Sequence, residues 1–192
     1  MRLAIFGGSF DPPHVGHLLV AEDAYAQLAL DRLVFVPVGR QPLKSGGAVA
    51  TAEQRVDLVR AMVQGDPRFE VSTVETARPG LSFTVDTLRY FATEHPTAER
   101  FLLLGADVLE SIAQWREPGE VVRLAQPVVL ERSGVPANVP ATVAGVVLTH
   151  MPTRHIDVSS TEIRERIRQG KSIRGFVTEG VAALIRRDRL YR

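Results

Sequence analysis

Short runs of apolar, often β-branched residues alternate along this chain with longer stretches whose apolar residues recur at helical spacing. The short runs predict strands at 3–6, 33–38, 69–74, 101–104, 128–130 and 143–148. The amphipathic stretches predict helices at 15–28, 52–63, 84–93, 121–124, 160–169 and 179 to about 187. Strands separated by helices of this length form βαβ units with right-handed crossovers and a parallel sheet.

The predicted strands are apolar almost throughout, which is typical of a parallel sheet covered on both faces. The pattern therefore predicts an α/β fold: a Rossmann-like, open, mostly parallel sheet with helices on both faces and a small C-terminal helical extension. No linker or repeat divides the chain, so residues 1–192 are expected to form one domain, with its C-terminal helical part at about 159–192. Capping residues mark several helix boundaries, namely Thr51 with Gln54, Ser159 with Glu162, Gly170, and Thr178.

Composition excludes several kinds of chemistry and location. The 192 residues include no cysteine, so disulfides, thiol catalysis and cysteine-ligated metals are excluded. The opening residues, MRLAIFGGSF, contain too short an apolar run for a signal peptide, and no run is long enough to span a membrane. We therefore expect a cytoplasmic protein with no membrane partner.

The charge is nearly balanced overall but uneven along the chain. The net charge is +1, so no global field attracts DNA. From Arg154 to Arg192 there are ten basic and five acidic residues. Such a basic segment can bind an anionic ligand, or it can be a solvated helix face. Glu162, Glu165 and Glu179 are interspersed among these basic residues and disfavour a nucleic-acid partner.

The segment Gly7–His17, GGSFDPPHVGH, connects the first predicted strand to the first predicted helix. Glycines let the backbone approach a ligand, and N–H groups at a helix start bind phosphate. His14 and His17 lie at this helix start and can donate to phosphate oxygens. A plain strand–helix turn with capping histidines is the structural alternative. A zinc pair is disfavoured because no third histidine or cysteine lies nearby, and neither a Walker A ending nor G-x-G-x-x-G is present.

A second polar cluster begins the helix predicted at 160–169. Ser159 and Thr161 offer hydroxyls at the helix start, and Arg164 lies one turn after Thr161 on the same face. Hydroxyls, helix N–H groups and a guanidinium together suit a triphosphate. Taken alone, the segment would be a well-capped surface helix with an exposed arginine. We expect both clusters at the carboxyl edge of the sheet, where ligands bind in such folds.

These two clusters resemble the signatures of the nucleotidylyltransferase superfamily, H-x-G-H (in the variant GGSFDPxHxGH) and S-x-T-x-x-R. Their order along the chain is also the order in that superfamily. Over nearly the whole chain the sequence is further similar to bacterial nicotinate-nucleotide adenylyltransferases, through Leu81–Thr84, Gly105–Asp107 and Trp115. Two departures are Leu43, where members often carry histidine, and Pro13, where many carry an aliphatic residue.

The resemblance implies adenylyl transfer from ATP to nicotinate mononucleotide, with release of pyrophosphate, in NAD biosynthesis. It implies Mg²⁺ bound mainly through substrate phosphates, and it is compatible with a homo-oligomer. The implied catalytic residues are His14, His17 and Arg164. The implied ATP-binding residues are Gly7, Gly8, Ser9, Phe10, Gly16, His17, Gly105, Asp107, Ser159, Ser160, Thr161 and Arg164. The residues implied for binding the mononucleotide are Lys44, Ser82, Phe83, Thr84, Trp115 and Arg132. No residue of the protein is implied as a ligand of the metal.

Several alternatives stay open at the level of sequence. Trp115 could be a partly buried core residue, Asp107 a helix cap and Arg132 a solvent-exposed side chain. The enzyme could instead prefer nicotinamide mononucleotide. Nicotinate and nicotinamide differ by one charge, and no single residue of the sequence decides between them. A phosphopantetheine adenylyltransferase shares H-x-G-H, and a nucleotide-binding module without catalysis would belong to a different class altogether.

Overall fold

A computed structural model of the protein describes residues 1–41, 47–105, 112, 114–132, 142–143, 145–154 and 156–192, and for 132, 143 and 146 it describes the main chain only. The strands are β1 Arg2–Gly8, β2 Arg32–Pro37, β3 Phe69–Val71, β4 Glu99–Gly105, β5 Gln126–Arg132, β6 Thr142–Val143, β7 Val146–Val147 and β8 Thr149–Thr153. The helices are α1 Val15–Gln27, α2 Ala52–Val63, α3 Thr84–Glu94, α4 Pro118–Leu124, α5 Ser160–Arg168 and α6 Glu179–Arg187.

Six strands form one parallel sheet in the order β3-β2-β1-β4-β5-β8. The remaining two, β6 and β7, pair with each other in antiparallel orientation. The order of the sheet reverses between β1 and β4, which is where open α/β sheets form a crevice at the carboxyl ends of their strands. This architecture confirms the predicted α/β, Rossmann-like fold.

Side chains of the four central strands β2, β1, β4 and β5 alternate between two apolar cores, one on each face of the sheet. In β1, Ala4 and Phe6 join a core that also contains buried residues of α1, α2, α5 and α6. Leu3 and Ile5 join the second core, which α3 and α4 cover. Because α5 and α6 contribute to the first core, the C-terminal helices pack on the sheet together with the N-terminal ones.

The region of 143–148, predicted as a strand, is different in the structure. Gly145 has a φ of +79°, and the chain reverses around it into the β6–β7 pair. The sheet strand comes afterwards, as β8, and contains Pro152. Proline has no N–H to donate, and β8 tolerates it because it is an edge strand. Residues 133–140 lie outside the described residues.

Other helix and strand boundaries in the structure differ from the predicted ones by a few residues, and most of the predicted helix caps are present. Strand β3 ends at Val71 instead of Val74, and α4 begins at Pro118, a favoured first helical residue. The Thr51–Gln54 capping box forms in both directions. Ser159 and Thr178 accept N–H groups of α5 and α6, and Gly170 follows α5 with a φ of +66°.

Candidate active site

The loop that follows β1 lies at the point where the strand order reverses. It runs to His14, which is the N-cap of α1, and its Asp11–Pro12 peptide bond is cis. The first N–H of the helix, that of Val15, donates to the carbonyl of Phe176 at 2.9 Å. The start of α1 is therefore joined directly to the segment that precedes the last helix.

The two histidines of this loop stack on each other. Their ring centroids are 3.7 Å apart, and the main-chain N–H of His14 donates to Nδ1 of His17 at 3.2 Å. Because Nδ1 accepts a hydrogen bond, a neutral His17 ring carries its proton on Nε2. The ring of Phe10 lies edge-on to His17, with centroids 5.0 Å apart. The site thus holds His17 as a hydrogen-bond donor in a defined orientation.

Gly16 makes room for this stacking. A Cβ at Gly16 would lie 2.9 Å from Nδ1 of His14, closer than a Cβ atom approaches a non-bonded atom. Phe10, one of the residues predicted to bind ATP, has a φ of +49° and a side chain that is buried in the first core. Because the ring packs in the core beneath the loop, any contact of Phe10 with ATP would be made by its main chain.

The second signature segment lies against this loop. Ser160 Oγ donates to the carbonyl of Pro12 at 2.8 Å, and Arg164 Nη1 donates to the carbonyl of Asp11 at 2.7 Å. Arg164 also donates from Nη2 to the Thr161 hydroxyl at 3.1 Å, which places the two side chains on one face of α5 as predicted. The structure therefore brings together two segments that lie almost 150 residues apart in the chain.

Phe83 and Trp115, two of the residues predicted for the mononucleotide, lie near each other in the structure. Phe83 is the N-cap of α3, and its side chain makes no capping hydrogen bond, so the N–H groups of the first turn are not occupied by a cap. Trp115 is half-buried against the second core, and the guanidinium of Arg116 lies over the Phe83 ring at 5.0 Å. The tryptophan loop and the start of α3 are therefore adjacent.

Ser82, the residue before the cap, has a different role from its neighbours. Its hydroxyl is buried and accepts the N–H of Gly39 at 3.2 Å. A Cβ at Gly39 would lie 2.4 Å from the carbonyl of Glu75, so only glycine allows this close approach. Ser82 thus ties the start of α3 to the loop that follows β2.

Of the remaining predicted residues, Ser9 lies in the loop after β1, and the others either end strands or lie outside the described residues. Gly7 and Gly8 end β1 and Gly105 ends β4, at the same edge of the sheet. Lys44 and Asp107 lie outside the described residues, and so does the side chain of Arg132, although its main chain ends β5. Their roles stay predictions.

Comparison with known proteins agrees with this geometry. The model of the cytidylyltransferase-like family matches residues 5–166. A protein of Gemmatimonas aurantiaca, named a probable nicotinate-nucleotide adenylyltransferase, is 46% identical over 100% of this chain and 93% of its own. A protein of the same name from Thermus thermophilus is 42% identical over the full length of both. The chain belongs to the nicotinate-nucleotide adenylyltransferases of the cytidylyltransferase-like family.

The fold of this adenylyltransferase family member has a solved counterpart. The nicotinic acid mononucleotide adenylyltransferase of Plasmodium falciparum, solved in complex with NaAD, superimposes with a TM-score of 0.79. It covers 99% of this chain and 97% of its own, at 19% sequence identity. At that identity the likeness establishes the shared fold alone. Among the described residues of our chain, no helix is both long and apolar enough to cross a membrane.

Two residues that sequence reasoning missed join the loops of this adenylyltransferase. The Asp11 carboxylate accepts the N–H groups of Val49 and Ala50 at 2.7 and 3.0 Å. Arg55, which is 2% exposed, donates to main-chain carbonyls of both neighbouring loops. The sequence carried one signal, since Arg55 interrupts the apolar stripe that continues with Val59.

A third missed residue is a carboxyl group beneath the predicted mononucleotide segment. Glu75 is buried, and Thr87 Oγ1 donates to it at 2.7 Å. Burial raises the pKa of this carboxyl above its ordinary value, although the hydrogen bonds of Thr87 and Ser82 lower it in part. No pattern in the sequence distinguishes Glu75 from the exposed glutamates.

The side chains that this adenylyltransferase brings together at the histidine loop, such as His17 and Arg164, are hydrogen-bond donors and suit the oxygens of a phosphate. In the described part of the chain, no group of three histidine, aspartate or glutamate side chains is placed to hold an ion. The carboxylate within the histidine loop, that of Asp11, already accepts two N–H groups. Mg²⁺ prefers phosphate oxygens and water as ligands at nucleotide sites.

Proposed function

We propose that this protein transfers the adenylyl group of ATP to nicotinate mononucleotide, giving nicotinate adenine dinucleotide and pyrophosphate. The observation that carries the proposal is the contact between the two signature segments, through Arg164 and the carbonyl of Asp11. Together with the hydrogen bond from Ser160 to the carbonyl of Pro12, that contact joins the histidine loop to α5. Full-length relatives with the name of this activity support the same reaction and its place in NAD biosynthesis.

The chemistry requires positioning and charge stabilisation more than acid–base catalysis. An oxygen of the mononucleotide phosphate attacks the α-phosphorus of ATP, and the bond from that phosphorus to the bridging oxygen of the β-phosphate breaks. The attacking oxygen is already an anion at neutral pH, so no general base is needed. Negative charge grows on the transferring group and on pyrophosphate, and donors that are held in place stabilise it.

The ATP side of the site would supply these donors. The Nε2 proton of His17 would reach an oxygen of the transferring group, with His14 stacked behind it. Arg164, Ser159 and Thr161 would hold the β- and γ-phosphates at the start of α5. When bound, Mg²⁺ would neutralise part of the triphosphate charge through phosphate oxygens.

The acceptor side would bind the nicotinate ring and its carboxylate. The uncapped N–H groups at Thr84 and after it suit an anionic carboxylate, because a helix start carries a partial positive charge. Trp115 would stack on the pyridine ring. Lys44 and Arg132 are proposed for the mononucleotide phosphate. A nicotinamide group lacks the charge that this helix start favours, and we therefore propose the acid as the preferred substrate.

One assay tests the reaction and the substrate preference together. The protein is incubated with ATP and Mg²⁺ plus either nicotinate or nicotinamide mononucleotide, and the dinucleotide is identified by mass spectrometry while pyrophosphate is quantified. We expect nicotinate adenine dinucleotide and an equal amount of pyrophosphate. Omitting Mg²⁺ and adding a chelator should suppress the product.

Each other outcome points to a different function. Faster formation of the amide dinucleotide would reverse the assigned preference but keep the reaction. Product from phosphopantetheine, added in a parallel incubation, would change the acceptor. ATP binding without pyrophosphate from any acceptor would leave a nucleotide-binding module and overturn the proposal.

A further inference from the structure

Arg55 is a charged residue in the apolar interior. It lies in the first turn of α2 and is 2% exposed, on the helix face that continues with Val59 and Met62. Burial lowers the pKa of its guanidinium, and the negative charge of Asp11 acts in the opposite direction. A buried charge is costly unless its hydrogen bonds are satisfied, so the partners of Arg55 reveal what it does.

Those partners belong to two different loops. Nη1 donates to the carbonyl of Ser9 at 2.9 Å, in the loop after β1. Nη2 donates to the carbonyl of Val38 at 2.7 Å and lies 3.4 Å from that of Gly39, both after β2. A planar guanidinium can contact both loops at once, whereas an ammonium group is a single point.

A second connection between the same loop and α2 starts from the loop, through Asp11. The carboxylate of Asp11, in the loop after β1, accepts the N–H groups of Val49 and Ala50. These two residues immediately precede Thr51, the N-cap of α2. Arg55 and Asp11 therefore cross-link α2 and the histidine loop from both sides, and we call this pair the loop clamp.

The two clamped loops lead to the two substrate pockets of the proposed reaction. Ser9 and Asp11 precede His14 and His17 on the ATP side. On the acceptor side, Gly39 donates its N–H to Ser82, next to the start of α3. Arg55 thus contacts both the loop on the ATP side and the loop on the acceptor side.

We infer that Arg55 is a positioning residue that sets the distance and alignment between the two substrates. It touches neither substrate and acts through the carbonyls of Ser9, Val38 and Gly39. In-line attack depends on the attacking oxygen and the α-phosphorus being held in register, and a displacement of about 1 Å can cost on the order of 10²-fold in rate. The inference rests on the proposed adenylyl transfer.

The test compares two arginine-to-lysine changes on the same helix. Arg55→Lys keeps the charge but cannot reach three carbonyls, while Arg60→Lys changes an exposed residue that is paired with Asp57. We expect Arg55→Lys to lower kcat on the order of 10²-fold, with both KM values close to wild type because each loop still binds its own ligand. Arg60→Lys should keep wild-type kcat and KM.

A second measurement does not depend on activity. Amide hydrogen exchange of a peptide covering residues 47–51 reports on the N–H groups held by Asp11. It should accelerate in Arg55→Lys and stay unchanged in Arg60→Lys. Absence of dinucleotide from the wild-type protein would refute the proposed function, whereas unchanged exchange in Arg55→Lys would refute the clamp.

Three further results would overturn the inference. If Arg55→Lys lowers the melting temperature but keeps wild-type kcat in the folded protein, Arg55 is purely structural. If KM rises for one substrate while kcat is kept, Arg55 serves that binding pocket alone. If Arg55→Lys fails to fold, Asp11→Asn tests the other residue of the loop clamp. It should show the same loss of kcat at similar KM values. If neither variant folds, the role of the pair is in stability.

Discussion

The imidazole of His17 is oriented by the start of its own helix. The main-chain N–H of His14 fixes Nδ1 as an acceptor, and Phe10 packs edge-on against the ring. A free histidine side chain would have to lose rotamer freedom when it binds a phosphate, and here much of that freedom is already restricted. The same ring can therefore donate from Nε2 at little entropic cost.

Removing this imidazole should affect the reaction far more than the fold. We expect His17→Ala to stay folded and to lose kcat by at least the order of 10²–10³, the usual effect of losing one donor to a developing negative charge. Steady-state kinetics with saturating ATP and nicotinate mononucleotide measures the loss. His95→Ala removes an imidazole from the end of α3, at the opposite edge of the sheet, and serves as the control. Wild-type turnover in His17→Ala would contradict the assignment.

Glu75 should make the free energy of unfolding depend on pH. Burial raises the pKa of its carboxyl in the folded state above the ordinary value of 4.5, so the folded protein holds a proton that the unfolded chain has already released. Stability therefore falls as the pH rises from the ordinary pKa through the raised one. Glu75→Gln removes the titration while an amide oxygen can still accept the hydroxyl of Thr87.

Urea unfolding at a series of pH values, from just below 4.5 to neutral, measures this effect. The wild type should lose stability relative to Glu75→Gln as the pH rises, and the variant should be the more stable protein at neutral pH. A gain of about 1 kcal/mol would appear as a rise of about 2–4 °C in Tm at this chain length. Glu94→Gln, at an exposed position, is the control. A constant difference between the wild type and Glu75→Gln across the series would show that Glu75 does not titrate there.

At the scale of elements, local signals determined what could be predicted. The bounds predicted for α2 agree with the structure, since Thr51 and Gln54 form a complete capping box. The last two helices also begin after hydroxyl caps that the sequence displays. Strand β8 was missed because Pro152 interrupts its pattern, and only its place at the sheet edge makes that proline acceptable.

The candidate site divides in the same way. The two signature segments could be predicted to meet, because both lie where a parallel sheet of this order binds ligands. The contacts of Asp11 and Arg55 could not be predicted, because their partners are main-chain groups of other loops. Every residue carries such groups, so the sequence does not mark the partners. Glu75 was missed for a related reason, because burial depends on what the whole fold places around a residue.

At the scale of the molecule, the C-terminal helices belong to the same core as the N-terminal part of the sheet. Ile163 in α5 and Ile185 in α6 are buried in the core that contains Ala4 and Phe6 of β1. Hydrogen bonds from Ser160 and Arg164 to the histidine loop add polar connections between the two ends of the chain. Folding of residues 159–192 should therefore be inseparable from that of the rest.

This coupling predicts that the protein unfolds in a single transition. Trp115 is the only tryptophan and lies against the second core, so its fluorescence reports on the face covered by α3 and α4. Far-UV circular dichroism reports on all helices, including α5 and α6 on the opposite face. In urea the two transitions should coincide, since neither core is complete without the sheet between them.

Two core substitutions, one on each face, make the test decisive. Ile163→Ala and Leu88→Ala each remove a fully buried side chain and should each cost about 2–5 kcal/mol. In a single cooperative unit, Ile163→Ala shifts the tryptophan transition as much as the dichroism transition, although Trp115 lies on the other face. Leu88→Ala should likewise move both. If Ile163→Ala instead separates the two curves, with helix signal lost before the tryptophan signal, then the C-terminal helices unfold independently and the site is assembled from two units.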